Sequence, residues 1–180
     1  MIVLISGASH TGKTLAAQKI LERYHYPYLS MDHLKMGLIR SGHTNLTVFD
    51  DDALTDYLWP IAREMVKTAL ENHQNLVVEG CYIPFDWAKD FSEAELASIR
   101  YCCLIMSEGY INSRFEQIKN HANAIERRLD DSGLSREDLM RENARNLSMC
   151  RAYHCRYILL KDEYSVTAES VVGETAGNCC

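Results

Sequence analysis

The sequence Gly7-Ala8-Ser9-His10-Thr11-Gly12-Lys13-Thr14 matches the pattern Gly-x-x-x-x-Gly-Lys-Ser/Thr at every specified position. It follows a short apolar run over residues 2–6, which is typical of a buried parallel strand. It precedes residues 15–21, whose apolar positions have helical spacing. A strand, a glycine loop and a helix in this order form a cradle whose backbone N–H groups bind phosphates. The stretch therefore predicts a phosphate-binding loop after the first strand.

The residue types in this loop predict a nucleoside triphosphate site, with ATP as the expected nucleotide and Mg²⁺ as its metal. Lys13 is expected to reach the β- and γ-phosphates and to be catalytic, and the Thr14 hydroxyl is expected to ligate Mg²⁺. The side chain of His10 either approaches the γ-phosphate or only fills a permissive position. The residues predicted to bind the nucleotide are Gly7, Ala8, Ser9, His10, Thr11, Gly12, Lys13 and Thr14.

The composition predicts one cytoplasmic domain that makes no contact with a membrane. A length of 180 residues is typical of a single domain. The sequence contains no apolar run of about 18 residues, so no membrane span is expected. The first residues are a strand without a basic region or a cleavage site, so we expect no signal peptide. The seven cysteines lack metal-binding spacing, which is typical of reduced core residues in a cytosol.

The charge distribution argues against nucleic acid as a partner. The formal net charge is −6, and residues 50–99 carry eleven acidic side chains against three basic ones. A protein that neutralises phosphates along a nucleic acid needs the opposite balance on the surface concerned. Nine of the twelve arginines lie between Arg100 and Arg156, so a local basic cleft is still possible. Nothing in the sequence predicts the oligomeric state.

Strand-like and helix-like segments alternate along the chain, which predicts an α/β fold with a parallel sheet. Asp50-Asp51-Asp52 is expected to cap a long helix, in which Pro60 predicts a kink or a break. We expect a single domain over residues 1–164, followed by a flexible tail over 165–180. The predicted strands are residues 2–6, 26–30, 75–80, 99–106 and 157–160, and the other predicted helices are about 13–24, 32–40 and 135–152.

Two carboxylates follow predicted strands and are candidates for the chemistry. In an open parallel sheet, ligands bind outside the carboxyl ends of the strands. Asp32 follows strand 2 and could accept a proton from an attacking hydroxyl, hold Mg²⁺ through a water molecule, or cap the helix that it begins. Glu79 ends the apolar strand 3 and is expected to hold a metal-bound water or to act as the base.

Arginines in the second half of the chain could stabilise charge on a transferring phosphoryl group. Arg128 lies in the run Arg-Arg-Leu-Asp-Asp at residues 127–131, and Arg136, Arg141 and Arg145 follow it. Planar guanidinium groups suit the equatorial oxygens of such a group. The alternative for the later arginines is a solvated helix face with ion pairs four residues apart.

Through these residues the chain resembles the P-loop kinases, a family that includes adenylate kinase and shikimate kinase. The resemblance extends from residue 1 to about residue 160. The segment from Ser30 to Gly42 resembles the adenylate kinase segment after strand 2, and Arg128-Leu129-Asp130-Asp131 resembles the lid signature Arg-x-Asp-Asp. The resemblance implies a three-layer P-loop NTPase with a five-stranded parallel sheet in the order 2-3-1-4-5. It also implies a helical lid at about 108–134, in which Arg128 is catalytic, with Arg128 and Arg141 contacting the phosphates.

Departures from adenylate kinase predict a different acceptor. Lys35 stands where that family has its first phosphate-binding arginine, and the run Glu79–Pro84 has no arginine where the family has its second. A monophosphate would lose its bidentate partners. The run is similar to P-loop kinases of small metabolites, including 2-phosphoglycerate kinase-like proteins. We expect an ATP-dependent kinase that acts on a small molecule, with a hydroxyl as the acceptor group.

Three other functions are compatible with the same motifs. An ATPase or nucleotide-gated binding protein would hydrolyse ATP slowly without an acceptor. A nucleoside monophosphate kinase would transfer to a phosphate. A kinase acting on nucleic-acid ends would need a basic path to the acceptor side, which the acidic residues 50–99 do not provide.

Overall fold

The structure of the chain is a computed structural model that describes residues 1–121 and 135–173. Its centre is a five-stranded sheet in which every paired strand is parallel, with the order β2-β3-β1-β4-β5. The predicted fold class and strand order are confirmed. The strands are β1 (Ile2–Gly7), β2 (Tyr28–Ser30), β3 (Leu76–Glu79), β4 (Ile99–Met106) and β5 (Tyr157–Leu160).

Helices connect the strands and cover both faces of the sheet. A short 3₁₀ helix at Trp87–Asp90 follows β3. Among the described residues, no helix combines the length and the apolar character that crossing a bilayer requires. The α-helices are α1 (Lys13–Tyr24), α2 (Met31–Arg40), α3 (Asp51–Glu71), α4 (Glu93–Leu96), α5 (Glu108–His121), α6 (Arg136–Ala152) and α7 (Ala168–Val172).

The central strand β1 is buried on both faces, which explains its continuous apolar sequence. Ile2 and Leu4 belong to the hydrophobic cluster that includes the inward face of α3. Val3 and Ile5 point to the other face, where they join the cluster formed with α1, α5 and α7. Because successive side chains of a strand alternate between the two faces, one apolar strand supports two separate cores. This three-layer packing fixes the carboxyl end of β1, from which the glycine loop emerges.

Helix α3 continues through Pro60, where the sequence predicted a kink or a break. The helix runs without interruption from Asp51 to Glu71. Proline removes one backbone hydrogen bond, but the apolar face of the helix continues on both sides of it. Leu58, Trp59 and Ala62 are all buried, and Pro60 itself is exposed. Burial along the whole helix outweighs the loss of a single hydrogen bond.

The chain after β5 differs from the flexible tail that its small, polar composition predicts. Val166 and Val171 are fully buried, and Thr167 caps the short helix α7 with a reciprocal capping box. Nη1 of Arg156 donates a hydrogen bond to the carbonyl oxygen of Val171 at 2.6 Å. The apolar residues of the segment after β5 are widely spaced, so its composition is dominated by small and polar residues. These apolar residues nevertheless share one buried face. Residues 174–180 lie outside the described part of the chain.

Candidate active site

The glycine loop adopts a backbone conformation that its two specified glycines make possible. Gly7 has φ of 144° and Gly12 has φ of 81°, values that other residues rarely adopt. A Cβ atom on Gly7 would lie 2.5 Å from the carbonyl oxygen of Leu104, and one on Gly12 would lie 2.5 Å from the ring of Tyr164. Side chains at these positions would therefore fill the cradle and collide with its walls. The loop fits a phosphate chain bound by backbone N–H groups.

Lys13 lies within this loop and does not extend into solvent. Its side chain is buried, and Nζ donates a hydrogen bond to the carbonyl oxygen of Ala8 at 2.8 Å. The Thr11 hydroxyl donates to the same oxygen at 2.9 Å. His10 has φ of 65°, so this position takes part in the left-handed turn of the loop and is not an ordinary backbone position. Lys13 also begins α1, whose N-terminal dipole favours bound anions.

Thr14 and Glu79 lie together, as the sequence predicts for a metal site. Strand β3 is adjacent to β1, and the N–H of Gly80 donates to the carbonyl oxygen of Ile5 at 3.1 Å. This pairing places the buried Glu79 carboxylate beside α1, where Oγ1 of Thr14 donates to Oε1 at 3.3 Å. Ser30 pairs in register with Glu79, and its buried Oγ has no hydrogen-bond partner among the described residues.

The donor set at this point suits magnesium. Thr14, Glu79 and Ser30 offer only oxygen atoms, which Mg²⁺ prefers over nitrogen and sulfur. Among the described residues, no cluster of three or more His, Cys, Asp or Glu side chains is arranged to hold a metal ion. In phosphoryl-transfer enzymes Mg²⁺ is usually held by one or two side chains together with the phosphates of the nucleotide.

A chain of hydrogen bonds, which we call the polar network, joins Asp32, Lys35, Tyr82 and Asp51. Nζ of Lys35 donates to Oδ1 of Asp32 at 2.6 Å and to the hydroxyl of Tyr82 at 2.9 Å. The Tyr82 hydroxyl in turn donates to Oδ1 of Asp51 at 3.3 Å. Burial, followed by the nearby Cys81, Asp32 and Asp51, raises the pKa of Tyr82 well above its ordinary value, so this hydroxyl stays protonated. The network connects three segments that are distant in sequence.

Cys81 shows that the polar network adjoins the glycine loop. Cys81 as a whole residue is exposed, but its sulfur atom is enclosed. This burial raises the pKa of the thiol. The charges of Lys13 and Lys35 lower this pKa, and those of Asp32 and Asp51 raise it. The thiol therefore responds to charges of both the glycine loop and the polar network. The structure places Asp32 on the same side of the molecule as Lys13, as expected from the carboxyl ends of adjacent strands.

Helix α6 carries a carboxylate whose pKa responds to groups of the glycine loop, whereas the sequence pointed only to its arginines. The side chain of Arg141 is mostly exposed and pairs with Asp138. Burial, followed by the charge of Asp51, raises the pKa of the Glu142 carboxyl, whereas Lys13 and the Ser9 backbone lower it. Arg128 lies outside the described residues, so its predicted role stays a prediction.

Tyr164 supports the loop from the segment after β5. Its hydroxyl donates to the carbonyl oxygen of Gly12 at 2.9 Å, and its ring packs where a Cβ of Gly12 would be. Nζ of Lys19 lies 4.9 Å from the centre of this ring and donates to the carbonyl oxygen of Val166 at 2.6 Å. The sequence did not indicate this contact, because the segment resembles a polar tail.

Comparison with known proteins places the fold among P-loop kinases. No protein-family description matches the chain, and no curated protein matches it in sequence. A shikimate kinase from Bacteroides thetaiotaomicron superimposes with a TM-score of 0.54 at 16% identity, over 96% of this chain and 94% of that one. A deoxyadenosine kinase from M. mycoides gives a TM-score of 0.54 at 13% identity, over 92% and 93% of the two chains. An uncharacterised protein from Eubacterium ventriosum gives 0.50 at 14% identity, over 94% and 92%. The chain has the P-loop kinase fold.

Proposed function

We propose that the protein is a kinase that transfers the γ-phosphoryl group of ATP to a hydroxyl group of a small molecule. One observation carries the proposal: a complete glycine loop with a buried Lys13 and a polar network that contains Asp32 lie at the same edge of the sheet, where the carboxyl ends of the strands meet. A nucleotide-binding loop alone would serve any NTPase. A carboxylate held next to the phosphate site gives this loop a place for a second substrate.

The proposed reaction is an in-line displacement at the γ-phosphorus. The acceptor oxygen forms a bond to phosphorus, and the bond between phosphorus and the β–γ bridging oxygen breaks, with its electron pair leaving on ADP. The hydroxyl proton passes to Asp32 and then to water. Lys13 and the loop N–H groups stabilise the negative charge on the phosphoryl oxygens, which is the main contribution a protein can make to this reaction.

Lys35 prepares Asp32 for this role. Its ammonium group bonds one carboxylate oxygen at 2.6 Å and is itself fixed by the Tyr82 hydroxyl. A carboxylate whose orientation is fixed before the substrate binds loses less entropy during the reaction. We therefore assign Asp32 to orienting and deprotonating the acceptor in preference to holding Mg²⁺ through a water molecule, which was another of its predicted roles.

Thr14 and Glu79 are the residues that would hold magnesium, with the nucleotide phosphates completing the coordination. The bound ion would neutralise phosphate charge and polarise the γ-phosphoryl group. We further propose that the segment 108–134 acts as a lid, in which Arg128 and, from the following helix, Arg141 approach the phosphates. The buried, unpaired thiols of Cys102 and Cys103 are compatible with the reducing cytoplasm, where we place the protein.

The similar structures support a kinase in general, because two of them are a shikimate kinase and a deoxyadenosine kinase. The direct test is an acceptor screen with Mg-ATP in which phosphorylated products are detected by mass. We expect one class of hydroxyl compounds to be phosphorylated with equal formation of ADP. Products carrying a new phosphate on an existing phosphate would instead indicate a nucleoside monophosphate kinase. ATP hydrolysis without any phosphorylated product would favour the nucleotide-gated binding protein.

A further inference from the structure

Ser30 is the last residue of β2 and lies at the position that normally caps the following helix α2. Its extended backbone, with φ of −82° and ψ of 122°, suits such a cap. A serine at this position usually accepts a hydrogen bond from a backbone N–H of the first helical turn. Within the described helix α2, the Ser30 side chain makes no capping hydrogen bond. The hydroxyl group is therefore not used for the role that its position and residue type favour.

The same hydroxyl group is buried. Ser30 is only 2% exposed, and its Oγ has no hydrogen-bond partner among the described residues. A buried hydroxyl has lost its contacts with solvent, and this loss is normally compensated by a hydrogen bond to protein or to bound water. Because Ser30 gives up its capping bond as well, its orientation has a cost that calls for a partner outside the chain itself.

The register of the sheet shows on which face the Ser30 side chain lies. Ser30 pairs with Glu79, and Glu79 pairs with Ile5. Residues paired in this way on neighbouring strands lie about 4.8 Å apart and share a face. Tyr28, two residues before Ser30, packs with Ile5 in the cluster that includes α1. Ser30 and Glu79 therefore both face α1, where Oγ1 of Thr14 donates a hydrogen bond to Glu79.

Close packing holds the start of α2 against the end of β3. Met31 is fully buried, and a Cβ atom on Gly80 would lie 2.7 Å from its Cβ atom. The atom in question is the first one of the side chain, so it cannot move without moving the backbone of α2. The absence of a side chain at Gly80 thus allows Ser30 to stay beside Glu79.

We propose that Ser30 is a positioning residue of the magnesium site. Its hydroxyl group holds a water ligand of Mg²⁺ together with the carboxylate of Glu79, and Ser30 does not contact the ion itself. Magnesium bound with nucleotide phosphates usually keeps several water ligands, and hydrogen bonds from surrounding residues orient such ligands. This inference rests on the proposed function and adds a residue to the site that Thr14 and Glu79 form.

Two other roles for the hydroxyl group make different predictions. If Ser30 held a water molecule that only supports the fold, its loss would destabilise the protein without any ligand. If Ser30 bonded a phosphate oxygen directly, its loss would weaken nucleotide binding whether or not Mg²⁺ is present. A role through the water ligands of the ion predicts a loss that depends on Mg²⁺.

The experiment measures the Kd of AMP-PNP, an ATP analogue that is not hydrolysed, by calorimetry with Mg²⁺ and again with EDTA. We expect Mg²⁺ to strengthen binding to the wild-type protein. Ser30→Ala should raise the Kd about tenfold with Mg²⁺ and leave it unchanged with EDTA. The melting temperature of the ligand-free variant should equal that of wild type, because no hydrogen bond within the chain is lost.

Ser92→Ala is the matched control, because the Ser92 hydroxyl does cap its helix, with a reciprocal bond to Glu95. The control should lower the melting temperature by about 3 °C and leave both Kd values unchanged. A Ser30→Ala variant that binds like wild type, that loses affinity equally with EDTA, or that melts earlier as the control does overturns the inference and leaves the kinase proposal intact. Wild-type binding that is independent of Mg²⁺ would instead contradict the proposed magnesium site, and the inference would fall with it.

Discussion

The glycine loop and the polar network meet at one end of the sheet, but they are built differently. The loop is one continuous segment, and its backbone supplies most of its binding groups. The polar network uses side chains from the start of α2, the start of α3 and the loop after β3. A backbone site tolerates few residues at its glycines, whereas a side-chain site can change its ligand by single substitutions. Under the proposed function, the first region carries out the reaction and the second selects the substrate.

The largest effect is expected from Lys13→Ala in the glycine loop. Removing the buried ammonium group withdraws a positive charge from the transferring phosphate, so we expect kcat to fall about 10³-fold. The measurement is the rate of phosphoryl transfer at saturating ATP. Lys89→Ala, which removes an exposed lysine paired with Asp86, is the control and should retain full activity. Activity of Lys13→Ala within tenfold of wild type would contradict the assignment of the loop.

Asp32→Asn is expected to act on the chemical step at the acceptor side. The amide keeps the shape of the side chain but cannot accept the hydroxyl proton, so kcat should fall about 100-fold. The KM for ATP should not change, since the glycine loop is intact. Asp56→Asn, at an exposed position of α3, is the control. A rise in the KM for ATP with an unchanged kcat would instead assign Asp32 to the metal and phosphate region.

Gly12→Ala tests whether the glycine loop requires a residue without a side chain at position 12. The new Cβ would lie 2.5 Å from the Tyr164 ring at a φ of 81°, and we expect a loss of about 2 kcal/mol in the free energy of unfolding. Gly37→Ala is a matched control, because a Cβ there would meet nothing within 4 Å and φ is not positive. In a helix this control should be stabilising by about 0.5–1 kcal/mol. Equal effects of the two substitutions would contradict the description of the cradle.

The smallest effect is expected from Tyr164→Phe, which removes only the hydrogen bond to the Gly12 carbonyl. We expect about 1 kcal/mol of weaker ATP binding, seen as a roughly fivefold higher KM for ATP with kcat unchanged. Tyr153→Phe, at a half-exposed tyrosine, is the control. An effect on thermal stability without any change in KM would give Tyr164 a structural role only.

The glycine loop could be predicted from the sequence because all of its determinants are local. Its glycines, its lysine and its flanking strand and helix are consecutive, so one short segment specifies the geometry. The strand order followed from the family resemblance and is confirmed. The position of Glu79 beside Thr14 follows from the pairing of β1 with β3, which an apolar strand ending in an acid already indicated.

The polar network could not be predicted because its members are brought together only by the fold. Asp51 was interpreted as part of a helix cap, and its contact with Tyr82 depends on how α3 crosses the loop after β3. Lys35 was identified as a replacement for an arginine, but its pairing with Asp32 was not foreseen. Tyr164 was missed for the same reason, since it contacts the glycine loop from a distant segment.

The most direct test of the central claim is the fate of the γ-phosphate in a single turnover. Enzyme in excess over γ-labelled ATP and Mg²⁺ is mixed with a pool of hydroxyl metabolites, and the label is separated into organic and inorganic phosphate. We predict that the label appears in an organic phosphate ester, and that Lys13→Ala leaves it in ATP. Label released only as inorganic phosphate, at a rate that no acceptor changes, would contradict the assignment of this protein as a kinase.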